Sequence, residues 1–309
     1  MEMLKPRALR SGDRLAVVAP SSSFDRQLFD IGLAELRRLD FEPVVYEQVF
    51  HRSGYFAGTA DVRAAAVRTA WRDPSIAGII AARGGYGSVH LLPLLSANEA
   101  RQARKVFLGY SDITSLLVYL TTHCGLVSFH GPMLATNFGL GQTGYDRETL
   151  LGCLMRTKPF GEIECRGLET IHKGEAVGML LGGTLSQLVS SLGTPFAFTP
   201  STGYVLFIDE IGEKPYRLDR MLTQLRQSGA IARASAVVFG ELLKCDDPPL
   251  DLRASTVVAD LLNDFSGPVV FGFPSGHTSG PTLTLPLGVR TRVIAGAHPR
   301  IVIEEPAVE

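Results

Sequence analysis

Four short apolar runs stand at RLAVVAP (14–20), FEPVVYE (41–47), AGIIAAR (77–83) and KVFLGY (105–110). Each is too short for a helix, and the stretches between them carry helical spacing. Leu28, Ile31, Leu36 and Leu39 mark one such stretch, and Ala60–Trp71 another. Buried strands alternating with helices predict a parallel sheet covered on both faces. VSFHGPM (127–133) extends the series. In this architecture ligands bind just beyond the carboxyl ends of the strands, so the residues after each run are the candidates for chemistry.

From about Leu140 to Lys173 the pattern weakens, through GLGQTGYDRE and TKPFGEIECRG. The reading is a first domain over 1–145, a poorly packed inter-domain linker over 146–173 and a smaller second domain over 174–309. In the second domain AVGMLLGG, YVLFIDE, AVVFGEL and VVFGF are strands, and Pro215 to Gln227 is a helix. The tail TLTLPLGVRTRVIAG…RIVIEE alternates as antiparallel strands do. The fold class is therefore α/β: a parallel-sheet N-terminal domain followed by a mixed α/β C-terminal domain rich in β-structure.

Composition narrows the partners. With 45% hydrophobic and 20% charged residues and a formal net charge of -1, the chain is an ordinary globular protein without a basic cluster. Nucleic acid and anionic membrane are thus not expected. No apolar run reaches the roughly 18 residues that span a bilayer, and MEMLKPRALRSGDRL lacks the apolar core of a signal peptide. The 4 cysteines are scattered, with no CxxC and no HExxH, which fits a reducing compartment and predicts no metal site. A cytoplasmic setting is the expectation.

Ser111 follows the run that ends at Gly109, and Ile113, Leu116, Leu117 and Leu120 after it lie on one helical face. A serine at such a junction is a natural helix cap. Three further stretches make another role possible. ARGGYGS (82–88) places glycines at a strand end, where backbone N–H groups can approach an anion. YVLFIDE ends a buried strand with Asp209 and Glu210, which the pleat sends to opposite faces. FGFPSGHTSGP puts His277 in a Gly/Pro/Ser-rich loop directly after a strand. A serine needs a base to take its proton, and the base needs an acid to orient it. Two N–H donors for the oxyanion are available from Asp112 and from Gly84 or Gly85.

RGGYG (83–87), GYSDIT (109–114), FHGPM (129–133), GGTLSQL (182–188), the acid–GE–PYRLDRMLTQL block (209–225) and PSGH…LPLG (274–288) together resemble the LD-carboxypeptidase family. These are serine peptidases of murein recycling, with relatives that confer self-immunity to microcin C. The resemblance covers nearly the whole chain. It implies a flavodoxin-like N-terminal domain, a C-terminal domain supplying acid and histidine, a cytoplasmic homodimer, and a Ser–Glu–His triad without metal or cofactor. Carried over by motif, the serine is Ser111 and the histidine His277. The acid departs from the family pattern: Glu-Asp is reversed to Asp209-Glu210. Position assigns the role to Asp209, and Glu210 could take it only if the strand end is shifted by one residue. Thr184 stands where the family commonly has Asn. The implied reaction is cleavage of an L,D-peptide bond before a terminal D-alanine in a murein tetrapeptide, with Arg83 a candidate for the terminal carboxylate. Two alternatives stay open. One is an acyl-adenylate analogue as substrate, with Tyr145 or Phe160 stacking on its base; the other is a muropeptide-binding module without turnover.

Overall fold

The computed structural model describes residues 3–309. Strands β1 (Arg14–Val18), β2 (Glu42–Val45), β3 (Ile76–Ala81), β4 (Val106–Gly109) and β5 (Ser128–His130) form a parallel array in the order 5-4-3-1-2. This is the flavodoxin-like order, with its switch point between β1 and β3. Ala16, Val17 and Val18 are fully buried, as consecutive residues must be in a strand covered on both faces. Helix Arg26–Arg38 starts where the Asp25 carboxylate accepts from Leu28 N–H at 2.9 Å. Its buried face includes Phe29, Gly32 and Leu36, and Ile31, one of the residues that mark this helical stretch in the sequence, is 40% exposed. At about 100° per residue Ile31 lies roughly opposite Phe29, and the phenylalanine takes the core side.

The second sheet comprises β6 (Gly161–Ile163), β7 (Glu169–His172), β8 (Gly174–Thr184), β9 (Tyr204–Asp209), β10 (Ala234–Gly240), β11 (Val269–Phe273), β13 (Arg290–Ala295) and β14 (Arg300–Ile303). Its order is 6-14-13-8-9-10-11-7, with β8 to β11 parallel and the outer strands antiparallel. The strand β12 (Leu285–Leu287) leaves this unit and pairs antiparallel with β5, Leu285 opposite His130. The C-terminal tail therefore completes the N-terminal sheet as well as its own.

Residues 146–173 are not a poorly packed crossing. Asp146 caps a helix, Arg147–Met155, by accepting from Thr149 N–H at 2.7 Å, and Leu150, Cys153 and Leu154 are buried. The rest of the stretch supplies β6 and β7, the two edges of the second sheet. Apolar residues are spread around that helix, and the edge strands span three and four residues. Neither gives the period that marks an amphipathic element.

The two units are joined through the helix that follows Ser111. Thr184 N–H donates to Thr114 Oγ1 at 3.0 Å, and Ser115 Oγ donates to Gln187 Oε1 at 3.0 Å. Gly183 has φ +141°, and a Cβ there would stand 2.6 Å from both Thr114 Cγ2 and Oγ1. Phe207, Phe273 and Val293 of the second sheet share one buried cluster with Phe107 and Phe129 of the first. A Gly183→Ala variant is expected to lose about 1–3 kcal/mol of stability through this overlap. Calorimetry would read it as a Tm lower by several degrees, and an unchanged Tm would show that the seam yields freely.

Candidate active site

Ser111 sits directly beyond β4, where Tyr110 is extended and the serine itself has φ +63°. A non-glycine residue in the left-handed region is held there by its surroundings. The same sharp strand-to-helix turn presents the nucleophile in α/β-hydrolases. Gly109 permits it, since a Cβ at that position would lie 2.9 Å from Ile113 Cγ2 and 3.2 Å from Ala81 Cβ. The next residue, Asp112, is 1% exposed. Its carboxylate accepts from Ser88 N–H at 2.8 Å and from the Ser21 hydroxyl, while its carbonyl accepts from Ser88 Oγ at 2.5 Å. Asp112 therefore ties the turn after β4 to those after β1 and β3.

The glycine loop lies against the serine. A Cβ on Gly84 would be 3.0 Å from Ser111 Oγ and 3.4 Å from Asp112 N. Gly85, with φ +103°, packs on Ser22 instead. Among the described residues neither the Gly84 nor the Gly85 N–H has a backbone partner. The loop is anchored from beneath by Arg63, 3% exposed, which donates to Gly87 O at 2.8 Å, to Gly58 O at 3.1 Å and to Pro20 O.

On the C-terminal side the Asp209 side chain, fully buried, accepts two hydrogen bonds from one residue. Its Oδ2 takes His277 Nδ1 at 2.7 Å and its Oδ1 takes His277 N–H at 3.2 Å. Glu210 points elsewhere: its oxygens accept from Ser186 N–H at 2.8 Å and Ile211 N–H at 3.0 Å, capping helix Leu185–Ser191. The two adjacent acids thus take separate tasks on opposite faces, as the pleat requires. Burial pushes the Glu210 carboxyl upward, against the two N–H bonds that hold it down. Burial also pulls the His277 imidazole down, but its bond to Asp209 and the charges of Asp209 and Glu210 outweigh this and leave it above the usual histidine value.

Tyr110, immediately before Ser111, has its ring 5.0 Å from that of His277 in an edge-to-face arrangement. Both line a cavity of about 520 Å³ with Asp25, Arg83, Asn137, Ile211 and Leu243 among its walls. Arg83 reaches it while donating to Ser23 O at 2.9 Å. No hydrogen bond joins Ser111 Oγ to His277 among the described residues; the hydroxyl turns about a single bond, and such contacts are often open before substrate arrives. Neither aromatic considered for base stacking faces this cavity. Tyr145 is 2% exposed and donates to Glu35 Oε1 at 2.6 Å, and Phe160 packs over Gly152 and under the Arg156 guanidinium.

Sequence reasoning gave no role to His130, which is fully buried with Nδ1 3.0 Å from Ser275 Oγ. It lies inside the quoted FHGPM motif, but a histidine within a short apolar strand gives no signal by spacing alone.

The chain matches the model of the LD-carboxypeptidase N-terminal domain over residues 15–131 and that of the C-terminal domain over residues 177–293. It is 30% identical over 275 residues to the murein tetrapeptide carboxypeptidase of Pseudomonas aeruginosa, covering 85% of this chain and 88% of that one. It is 27% identical over 302 residues to the microcin C7 self-immunity protein of Escherichia coli, covering 89% and 88%. The solved muramoyltetrapeptide carboxypeptidase of Oxalobacter formigenes superposes with a TM-score of 0.83 at 28% identity, covering 95% of this chain and 99% of that one. With both halves matched in order and the fold shared along nearly the whole length, this chain belongs to the LD-carboxypeptidase family.

Proposed function

We propose that the protein is a serine carboxypeptidase that removes the terminal D-alanine from murein tetrapeptides. The observation that carries this reading is the bidentate grip of a buried Asp209 on His277, with the ring of Tyr110, the neighbour of a serine held in a strained turn, set against that of His277. Nδ1 is engaged as a donor to the carboxylate, so Nε2 is the nitrogen left to act as base. In the proposed reaction Ser111 Oγ turns onto Nε2, gives up its proton and attacks the carbonyl of the L,D bond. The amides of Asp112 and of Gly84 or Gly85 receive the oxyanion; one such donor is worth about 3 kcal/mol in the transition state. The imidazolium then protonates the departing D-alanine amine, and water, deprotonated by the same histidine, frees the tripeptide. The setting is a cytoplasmic homodimer recycling peptidoglycan fragments.

Arg83 is proposed to hold the substrate's terminal carboxylate. An Arg83→Ala variant should raise KM about 10- to 100-fold with kcat changed far less, as expected when binding is lost equally from ground and transition states. Steady-state kinetics decide it, and a loss confined to kcat would reassign the residue to the chemistry.

The function is tested with L-Ala-γ-D-Glu-meso-diaminopimelate-D-Ala and the same peptide ending in L-Ala. Release of alanine from the first alone is the expected outcome. Turnover of glutamyl sulfamoyl adenosine, with no D-alanine released, would move the assignment to the immunity-type reaction.

A further inference from the structure

Directly behind the Asp209–His277 pair is a second histidine for which the mechanism has no use. His130 ends β5, is fully buried, and its ring meets Phe207 at 5.0 Å and Tyr110 at 5.8 Å. Its Nδ1 is 3.0 Å from Ser275 Oγ, and Ser275 Oγ is 2.9 Å from Leu283 O. A serine hydroxyl has one proton, and a carbonyl can only accept. Ser275 therefore donates to Leu283 O, and His130 Nδ1 must donate to Ser275.

This assignment leaves the Nε2 lone pair buried with no hydrogen-bond partner among the described residues. An unmet buried polar atom of this kind is destabilising, so the ring is held at this place in spite of it. The geometry indicates what it supports. Gly276, φ +88°, lies between His130 and the pair: a Cβ there would fall 2.8 Å from His130 Cε1 and would overlap the Asp209 carboxylate. Gly276 N–H is in turn fixed by Thr282 Oγ1 at 2.8 Å. Ser275, Gly276 and His277 are consecutive, so whatever fixes the first two sets where the third presents its imidazole.

We propose that His130 is a positioning residue: its Nδ1–H, through Ser275, pins the loop that delivers His277 to Asp209, and its uncharged ring closes the back of that pair. The ring stays neutral because burial pushes its pKa down to about 4, with the Asp209 charge pulling it up and the His277 charge pushing it down. Neutrality matters here, since a charged His130 beside Gly276 would compete with His277 for the same carboxylate. The ionisable groups around His277 are Asp209 and Glu210 from the end of β9, His130 from β5 and Tyr110 before the serine, with Asp25 and Arg83 in the walls of the shared cavity and Glu241 accepting from Ser279 N–H of the same loop.

The inference rests on the serine-peptidase reading above, and its test separates the two. The readout is the rate at which a fluorophosphonate labels Ser111 as a function of pH, in the full-length protein, for wild type, His130→Asn, His130→Leu and Ser275→Ala. An asparagine amide reaches the position of Nδ1 and keeps the donor; leucine fills the space without one. His130→Asn should label within about 5-fold of wild type. His130→Leu and Ser275→Ala should label at least about 30-fold more slowly, with the acid limb of the profile moved to lower pH as His277 loses its hold on Asp209. A merely structural role would lower Tm and leave that limb in place. Should His130→Leu fail to fold, Ser275→Ala breaks the same link from the loop side with the loss of one atom. Leucine and alanine variants that label like wild type, or an asparagine variant as slow as the leucine one, would overturn the inference. Wild type that fails to label would remove the serine-peptidase reading itself.

Discussion

The Ser111→Ala variant is expected to bind the tetrapeptide about as tightly as wild type and to release D-alanine on the order of 10⁴- to 10⁶-fold more slowly. Without Oγ no acyl-enzyme can form, and removing the serine of a comparable triad leaves only the rate supplied by the oxyanion donors and by binding. Binding should persist because Oγ makes no hydrogen bond to His277 in the free protein, and Gly84 already packs on the serine Cβ side. Alanine removes one atom from that contact and leaves the turn, held by Asp112 to Ser21 and Ser88, as it was. Calorimetric titration beside an alanine-release assay measures both halves. Retained turnover would end the nucleophile assignment.

Asp209→Asn should lower kcat by about 10³- to 10⁴-fold, in line with the analogous change in a well-studied triad. The carboxylate accepts from the His277 ring at one oxygen and from its backbone N–H at the other. Asparagine has a single acceptor oxygen. Whichever way it turns, an N–H faces another donor, and the loop shifts or the ring adopts the tautomer with its proton on Nε2. The pH profile should move as well. In the proposed mechanism His277 is the base and must be neutral, and its bond to Asp209, with the Asp209 and Glu210 charges, holds its pKa above the usual value against burial. Wild-type activity is therefore lost as pH falls through that raised pKa, and in Asp209→Asn the loss should begin at lower pH. Glu210→Gln, which weakens the cap on helix Leu185–Ser191 and removes the lesser of the two charges that raise His277, should cost about 1 kcal/mol of stability, move the acid limb less than Asp209→Asn does and leave kcat within about 10-fold. Equal damage from both substitutions would contradict the division of labour between the two acids.

Much of this was legible in the chain. Buried strands in a parallel sheet read as unbroken apolar runs, so β1, β3 and β4 were plain, and the helix Pro215–Gln227 was plain from its spacing. Residues at strand ends then named Ser111, Asp209 and His277 as candidates. What stayed hidden depends on three-dimensional juxtaposition. The φ of Ser111 cannot be read from a serine. The helix Arg147–Met155 is apolar on several sides and shows no period. The strand β12 looked like part of an antiparallel tail, yet its partner is β5, about 155 residues earlier in the chain. His130 gave no signal because its relevance comes from a loop that folds against it from the far end of the sequence.

The central claim is that His277 and Asp209 make Ser111 a nucleophile. The most direct measurement is fluorophosphonate treatment of the wild-type protein at neutral pH, followed by peptide mass spectrometry, with His277→Ala alongside. The claim predicts one adduct, on Ser111, formed in wild type and largely lost in His277→Ala. No adduct on wild type, an adduct on another serine, or equal labelling without the histidine would contradict it.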